Sequence, residues 1–290
     1  MRLCTFLRDG VARIGAERGG TVVDLRAVDA RIPATMRELL GGGEAALEQA
    51  RTAEQRAGGE HRVARADVTL LPPVPDPQKI ACIGLNYRDH AAEVNLELPT
   101  HVTVFAKWNN VLVGDGAPIL IPRASHRVDY EAELAFVVGR RARNVAEADA
   151  YDHIAGYTCF NDVSVRDYQA LTSQWTLGKT FDTHGPCGPV LVTRDEIPNP
   201  HRLAIRTTIG GEVLQDSTTA NLIFTVPRLL AELSAVMTLE PGDIVATGTP
   251  PGVGMARTPR RWILPGERVR IEIEAIGALE NPAAAEPGAP

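Results

Sequence analysis

Glu131 and Glu133 stand two residues apart in the run Asp129-Tyr130-Glu131-Ala132-Glu133-Leu134-Ala135-Phe136-Val137-Val138. On an extended strand that spacing puts both carboxylates on one face, and the same face continues as Ala135 and Val137. A solvated strand edge would explain such a pair without any function. Asp162 points elsewhere: it follows the run Gly156-Tyr157-Thr158-Cys159-Phe160-Asn161 at a strand end, from which a third carboxylate could converge on the first two. Two like charges about 4 Å apart repel by about 4 kcal/mol at an effective dielectric near 20. Three such pairs would rival the roughly 5–15 kcal/mol stability of a whole domain. Converging carboxylates therefore need a cation or must take up protons. An all-oxygen set with no His or Cys beside it favours Mg²⁺ or Mn²⁺, with Ca²⁺ able to take their place, over zinc. Three protein ligands leave about three of the six Mg²⁺ positions open to water or substrate, which suits catalysis better than structure.

Four further groups could serve such a site. His90 and Glu93 are one helical turn apart, with Asn86 placed to cap that turn. A carboxylate beside an imidazole fixes its tautomer and makes it a better base; a surface His–Glu pair is the alternative. Arg166 and Gln169 repeat the same spacing just after Asp162 and would offer a cation and a neutral donor to an anionic substrate, unless they form a solvated helix face. Lys179 lies between an apolar segment and a Gly-containing turn, a position for a charge partner. The run Gly242-Asp243-Ile244-Val245-Ala246-Thr247-Gly248-Thr249-Pro250-Pro251-Gly252-Val253-Gly254 leads from a strand into a Gly/Pro loop. It lacks the Gly-Lys-Ser/Thr of a P-loop and no helix follows its glycines, so it is neither a nucleotide cradle nor a dinucleotide fingerprint. Its functional reading is a rigid loop offering backbone N–H groups and the Thr249 hydroxyl to a small anion.

The elements that must position these groups read as an α+β chain, mainly β. The 290 residues include 26 Gly and 21 Pro, punctuation that suits many short strands joined by turns rather than a helical bundle. Residues 1–70 read as a small N-terminal α+β domain: a three-strand meander, a capping box at Thr35-Met36-Arg37-Glu38 opening a short helix, and a second helix from Glu44 to Ala57. Residues 71–77, with Pro72, Pro73, Pro75 and Pro77, form a linker. Residues 78–276 carry every candidate group. Val226, Leu229, Leu230, Leu233, Val236 and Met237 mark an amphipathic helix behind Thr225. Residues 277–290 show no periodicity and are expected to be disordered.

Composition narrows the function classes. Acidic residues (36) outnumber basic ones (30), giving a formal net charge of -6 and no basic stripe for nucleic acid. No apolar run approaches the roughly 20 residues of a membrane span. Met1 leads into strand-like residues rather than a signal peptide, which points to the cytoplasm. The four cysteines show no metal-site spacing and read as buried thiols.

Taken in order, Gly84-x-Asn86-Tyr87-x-x-His90-x-x-Glu93, Asp129-Tyr130-Glu131-x-Glu133-Leu134, Asn161-Asp162-Val163-Ser164-x-Arg166-Asp167-x-Gln169, Gly178-Lys179-x-Phe181-Asp182 and Gly242-Asp243-Ile244-x-x-Thr247-Gly248-Thr249-Pro250-x-Gly252-Val253-Gly254 resemble the fumarylacetoacetate hydrolase family, in its bacterial two-domain form. The resemblance implies a mixed β-sandwich roll and a homodimer. It implies Mg²⁺ or Mn²⁺ held by Glu131, Glu133 and Asp162, a catalytic His90–Glu93 dyad on a lid, Lys179 in catalysis, and substrate contacts from Arg166, Gln169 and Thr249. The substrate it implies is a small 2-oxo or diketo acid.

Two departures stand out. Residues 82–86 lack the fourth metal-side carboxylate of the long animal-type members. Ala106-Lys107-Trp108-Asn109-Asn110 is bulkier than the family's small residues, making Trp108 the place to look for control of substrate size. The reaction expected first is hydrolysis of a C–C bond in an acylpyruvate through a metal-stabilised enolate, with water activated by the dyad. Oxaloacetate decarboxylation, isomerisation of a hydroxy-muconate-type dienoate, and a non-catalytic ligand binder are the alternatives.

Overall fold

The structure, a computed structural model, describes residues 1–93 and 97–288. The N-terminal meander is β1 (Arg2–Arg8), β2 (Val11–Arg18) and β3 (Thr21–Asp24). Helices α1 (Leu25–Val28), α2 (Met36–Gly41) and α3 (Gly43–Arg56) follow, then β4 (Arg62–Ala64) and β5 (Thr69–Leu71). The expected capping box opens α2: Thr35 Oγ1 accepts from the Glu38 N–H, and Glu38 Oε2 accepts from the Thr35 N–H, each at 3.2 Å.

Beyond the prolines come β6 (Ile80–Gly84), α4 (Arg88–Glu93), β7 (Thr103–Lys107), β8 (Leu112–Val113), β9 (Ile119–Ile121) and β10 (Val128–Asp129). The middle of the chain holds β11 (Ala132–Val138), β12 (Ile154–Asn161), β13 (Ser164–Val165), α5 (Arg166–Gln169), α6 (Thr176–Lys179) and β14 (Gly185–Thr193). The last elements are β15 (Ala204–Ile209), β16 (Glu212–Thr218), α7 (Val226–Val236), β17 (Ile244–Ala246), β18 (Arg268–Ile273) and β19 (Gly277–Ala285).

A large sheet runs in the order β4-β3-β2-β1-β14-β12-β11-β17-β6-β7, with β5 added at β1 and β8 at β14. A five-stranded sheet, β16-β15-β18-β19-β9, covers part of one face. The N-terminal strands are continuous with the large sheet, because β1 pairs with β14 through Arg2↔Val192 and Leu3↔Leu191. Residues 72–74 of the Pro-rich stretch are buried, and Thr5 Oγ1 donates to the Pro73 carbonyl at 2.8 Å, so this connection is packed down.

β11 lies at the centre and is buried along its whole length. Leu134, Phe136 and Val138 enter the core shared with the five-stranded sheet (Ile205, Ile271, Leu279). Ala135 and Val137 enter the opposite core, against Leu191, Ile244 and the N-terminal residues Leu39 and Leu40. Burial on both faces explains why this strand reads as a nearly continuous apolar run beyond its two glutamates.

One expectation is corrected. Of residues 277–290, Gly277–Ala285 form strand β19, antiparallel to β18 and parallel to β9 through Ala283↔Ile119. Its alternate residues Leu279, Asn281 and Ala283 are buried, and the Asn281 amide donates to the Gly114 and Ala117 carbonyls at 2.8 Å each. Alanines and prolines carry too little hydrophobic contrast to betray a strand, but here neighbours on both sides supply the pairing. Ala289 and Pro290 lie outside the described residues. No helix among the described residues is long and apolar enough to cross a membrane.

Candidate active site

Strand pairing brings the three carboxylates together. Ala132 lies opposite Asn161 in the β11–β12 ladder, and the Asp162 N–H continues it by donating to the Glu131 carbonyl at 3.0 Å. Glu131, Glu133 and Asp162 thus offer oxygens that all lie within 4.8 Å of one another, and all three residues are buried. Burial removes the solvated-edge explanation.

Cations surround this cluster unevenly. The Lys179 ammonium donates to Glu131 Oε2 at 2.7 Å and to Asp162 Oδ2 at 2.6 Å. The Arg166 guanidinium lies 2.6 Å from Glu131 Oε1, and its Nε donates to Asp129 Oδ2 at 2.8 Å. Glu131 is accordingly held well below the usual carboxylate range: burial alone would push it up, but Lys179 and Arg166 outweigh burial. Lys179 is shifted upward despite its own burial, because Asp162 and Glu131 hold its charge in place. Glu133 moves the other way. Burial, then the negative charges of Asp162 and Glu131, push it well above the usual range, against a 2.9 Å hydrogen bond from the Gly248 N–H. Glu133 is the carboxylate that a bound divalent cation would relieve most. Three buried oxygen ligands, one of them short of positive charge, fit Mg²⁺ or Mn²⁺.

α5 and α6 bring the remaining polar groups into reach. A Cβ on Gly178 would sit 2.3 Å from the Gln169 nitrogen, so glycine lets α6 pack closely against α5 and bring Lys179 and Gln169 into the same pocket lining. Arg166 Nη1 donates to Gln169 Oε1 at 2.9 Å, which turns the Gln169 amide nitrogen into the end free to donate. On the other side α4 holds His90, whose Nδ1 is 2.9 Å from Glu93 Oε2. With Nδ1–H donated to Glu93, Nε2 carries the lone pair.

A pocket of about 230 Å³ joins these parts. Its polar lining is His90, Glu131, Glu133, Arg166, Gln169, Lys179 and Thr249; its apolar lining includes Ile83, Leu85, Phe105, Trp175 and Met255. Asp162 lies fully buried beside Glu131, and Glu93 stands behind His90. All nine residues singled out in the sequence therefore meet in one place.

Three details differ from the expectations. Four backbone N–H groups of the 248–255 loop turn to protein carboxylates: Gly248 to Glu133, Gly252 to Glu93 Oε1 at 2.8 Å, and Gly254 and Met255 to Asp129 at 2.7 and 3.0 Å. The Thr249 hydroxyl donates to the Ala132 carbonyl at 2.9 Å and accepts from the Gln215 amide at 2.9 Å, so its proton is not available to an anion. Asn86 does not cap α4; its amide donates to the Phe224 and Thr247 carbonyls at 3.1 and 2.8 Å and pins the chain before the helix.

Two residues of the site went unrecognised in the sequence. Lys107, 2% exposed, donates to Asp162 Oδ1 at 2.6 Å and to the Val163 carbonyl at 3.0 Å. Its only local signal was its place in the bulky run after Phe105. Asp129 accepts from Tyr130, Gly254, Met255 and Arg166, and so aims the guanidinium at Glu131. Its signal was adjacency to the glutamates. Trp108, by contrast, is 58% exposed and is not among the pocket residues; the indole in the pocket is Trp175.

Three buried carboxylates, a charged lysine beside them and a histidine on a separate helix thus line one pocket. Residues 79–284 match the fumarylacetoacetate (FAA) hydrolase C-terminal family, and the chain belongs to that family. Among its relatives is the mitochondrial oxaloacetate tautomerase fahd2 of Xenopus laevis, 46% identical over 93% of this chain and 85% of that protein. A 2-hydroxyhepta-2,4-diene-1,7-dioate isomerase from Mycobacterium marinum superposes with a TM-score of 0.79, at 34% identity and covering 99% of both chains. The maleylpyruvate hydrolase from Sphingobium sp. SYK-6, solved with manganese(II) and pyruvate, gives 0.83 at 32% identity, covering 98% of this chain and 99% of that one.

Proposed function

We propose that this enzyme interconverts the enol and keto forms of a small 2-oxo dicarboxylic acid, with oxaloacetate the first candidate. The observation that carries this reading is the convergence of three cation-binding carboxylates, the charged Lys179 and the His90 ring on one 230 Å³ pocket. That volume lies below the roughly 300–1,000 Å³ of ordinary ligand sites, which favours a short substrate. The likeness to the Xenopus oxaloacetate tautomerase supports the same substrate class.

Glu131, Glu133 and Asp162 would hold Mg²⁺ or Mn²⁺, which when bound withdraws electrons from the 2-oxo group and makes the C3 protons acidic. His90 Nε2 takes a C3 proton from the keto form, and the C–H electron pair becomes the enolate double bond. Lys179 stabilises the negative charge that develops on the 2-oxygen, worth most in a buried pocket where it needs no rearrangement. Glu93 stabilises the imidazolium while the proton is held, and His90 returns the proton to oxygen to complete the enol. The Gln169 amide donates to a substrate carboxylate. Arg166 keeps Glu131 in place and adds positive potential.

Hydrolysis of an acylpyruvate is the second reading, and the His90–Glu93 contact favours it. The same base could take a proton from water attacking the acyl carbon, leaving the same enolate as leaving group. The likeness to maleylpyruvate hydrolase supports it. The cytoplasmic location and homodimer expected from the sequence belong to the proposal. Cell fractionation and light scattering test them, with the mitochondrial compartment of the Xenopus relative as the alternative outcome.

The test follows enol–keto conversion of oxaloacetate and pyruvate release from acetylpyruvate, each with Mg²⁺ and with excess EDTA. Metal-dependent conversion of oxaloacetate without loss of carbon dioxide supports the proposal. Faster metal-dependent cleavage of acetylpyruvate moves hydrolysis to first place, and no metal-dependent reaction with either overturns both.

A further inference from the structure

One bulky side chain stands out in the apolar lining of the pocket. Trp175 stands at the start of α6, and its ring meets Phe105 edge to face, with centroids 5.6 Å apart and an interplanar angle of 68°. Its edge also rests on the backbone of Gly84: a Cβ built there would lie 2.5 Å from the indole Cζ3 and 2.9 Å from Cη2. Those distances are inside any real Cβ contact, so the indole occupies the volume a side chain at position 84 would need. Leu85 then turns the chain with a φ of +54°, unusual for a leucine, and leads it towards α4 and His90. The wall thus rests on the residue just before the turn that leads into the helix carrying His90.

We infer that Trp175 sets the length of substrate the pocket accepts, limiting it to a 2-oxo acid of about four carbons. This rests on the proposed 2-oxo-acid reading. The reacting 2-oxo acid end belongs at the carboxylates and Lys179, whose Nζ stands 4.8 Å over the Phe105 ring, and the remainder of the substrate extends along the wall that Phe105 makes with Trp175. At about 230 Å³ the pocket is smaller than the roughly 300–1,000 Å³ of ordinary ligand sites. A four-carbon 2-oxo diacid fits that space, whereas an acylpyruvate with a longer acyl chain must enter the volume the indole fills. Control of length therefore falls to Trp175 rather than to Trp108, which is exposed just after β7. Residues 171–174 just before it are exposed, and Trp175 itself is only partly buried, so trimming the ring opens a wall without emptying the core.

The experiment uses the Mg²⁺-loaded protein and a homologous series of straight-chain acylpyruvates beside oxaloacetate, comparing wild type with Trp175→Ala and Trp175→Phe. Binding of oxalate, 2-oxoglutarate and 2-oxoadipate by calorimetry is the readout independent of turnover. Methylene discrimination in apolar pockets runs from about tenfold upward. Trp175→Ala is therefore expected to raise kcat/KM for the longer members relative to oxaloacetate by about tenfold or more, and to tighten 2-oxoadipate relative to oxalate. Trp175→Phe should fall between. Gly84→Ala should weaken every ligand by displacing the indole, and adding Trp175→Ala should restore binding. Wild-type and variant proteins with the same chain-length profile, or a Gly84→Ala defect that Trp175→Ala leaves unchanged, overturn the role of Trp175. If no 2-oxo acid binds even to the wild-type protein, the functional reading itself has failed.

Discussion

The carboxylate cluster and the His90–Glu93 pair share a pocket but are held in different ways. Glu131, Glu133 and Asp162 sit on or beside adjacent central strands, buried, their positions set by the β11–β12 register and by Lys107, Lys179, Arg166 and the Gly248 N–H. His90 and Glu93 ride on the six-residue helix α4, tied to its surroundings by polar contacts: Asp89 to Ser217 and Asn221 at 2.6 and 2.8 Å, Arg88 to the Leu222 carbonyl at 2.8 Å, and Glu93 to the Gly252 N–H. In the proposed reaction, charge stabilisation would thus be built into the sheet, where preorganisation is cheapest, and proton handling would be placed on a short helix held by polar contacts.

That division is testable by the readouts it separates. The largest effect belongs to the sheet: Glu131→Gln or Asp162→Asn should abolish metal binding and turnover together, followed by calorimetric Mn²⁺ titration and assay. Lys179→Met should cost about 10²–10³-fold in kcat, as expected for losing one preorganised charge at an enolate. His90→Ala should cost about 10²–10⁴-fold in turnover while Mn²⁺ affinity stays unchanged. Parallel loss of metal there would erase the distinction between the two regions.

A fourth test uses pH. The Glu133 carboxyl is pushed well above its usual range by burial and by Asp162 and Glu131. A carboxyl raised in the folded state favours folding while protonated, so the metal-free protein should lose stability as pH rises above the ordinary carboxylate value towards the raised one. Metal binding must release that proton, so Mg²⁺ affinity should rise with pH over the same interval. Calorimetry in buffers of different ionisation heat measures the released proton; Glu133→Gln should remove both effects. The smallest change is expected from Asp89→Asn. Weakening the α4 contacts by about 1 kcal/mol should raise KM roughly fivefold and leave metal affinity intact.

Much of this site was legible in the sequence because its signals are local. The two-residue spacing of Glu131 and Glu133 encodes a shared strand face, and the three-residue spacing of His90 and Glu93 encodes one helical turn. The same holds for the Thr35–Glu38 box and for the Val226–Val236 helix behind Thr225. What stayed hidden depends on partners far along the chain. Lys107 meets Asp162 across 55 residues, and the Gly252 N–H reaches Glu93 across 159. Loop 248–255 looked like a cradle for a ligand's negative charge; its N–H groups hold the enzyme's own carboxylates.

Composition misled where local contrast was weak. The alanines and prolines of β19 gave no periodicity, yet β18 and β9 supply its hydrogen bonds. Of two tryptophans near the site, one is exposed at the edge of the sheet and the other lines the pocket. By itself the sequence determined which chemical groups the protein owns and which of them share a turn or a strand face, since those follow from backbone periods of 3.6 and 2. Only the tertiary structure decided which carboxylate has no ion-pair partner among the described residues, which hydroxyl is already bonded and which indole lines the pocket. Each of those depends on contacts that strand register makes between residues far apart in the chain.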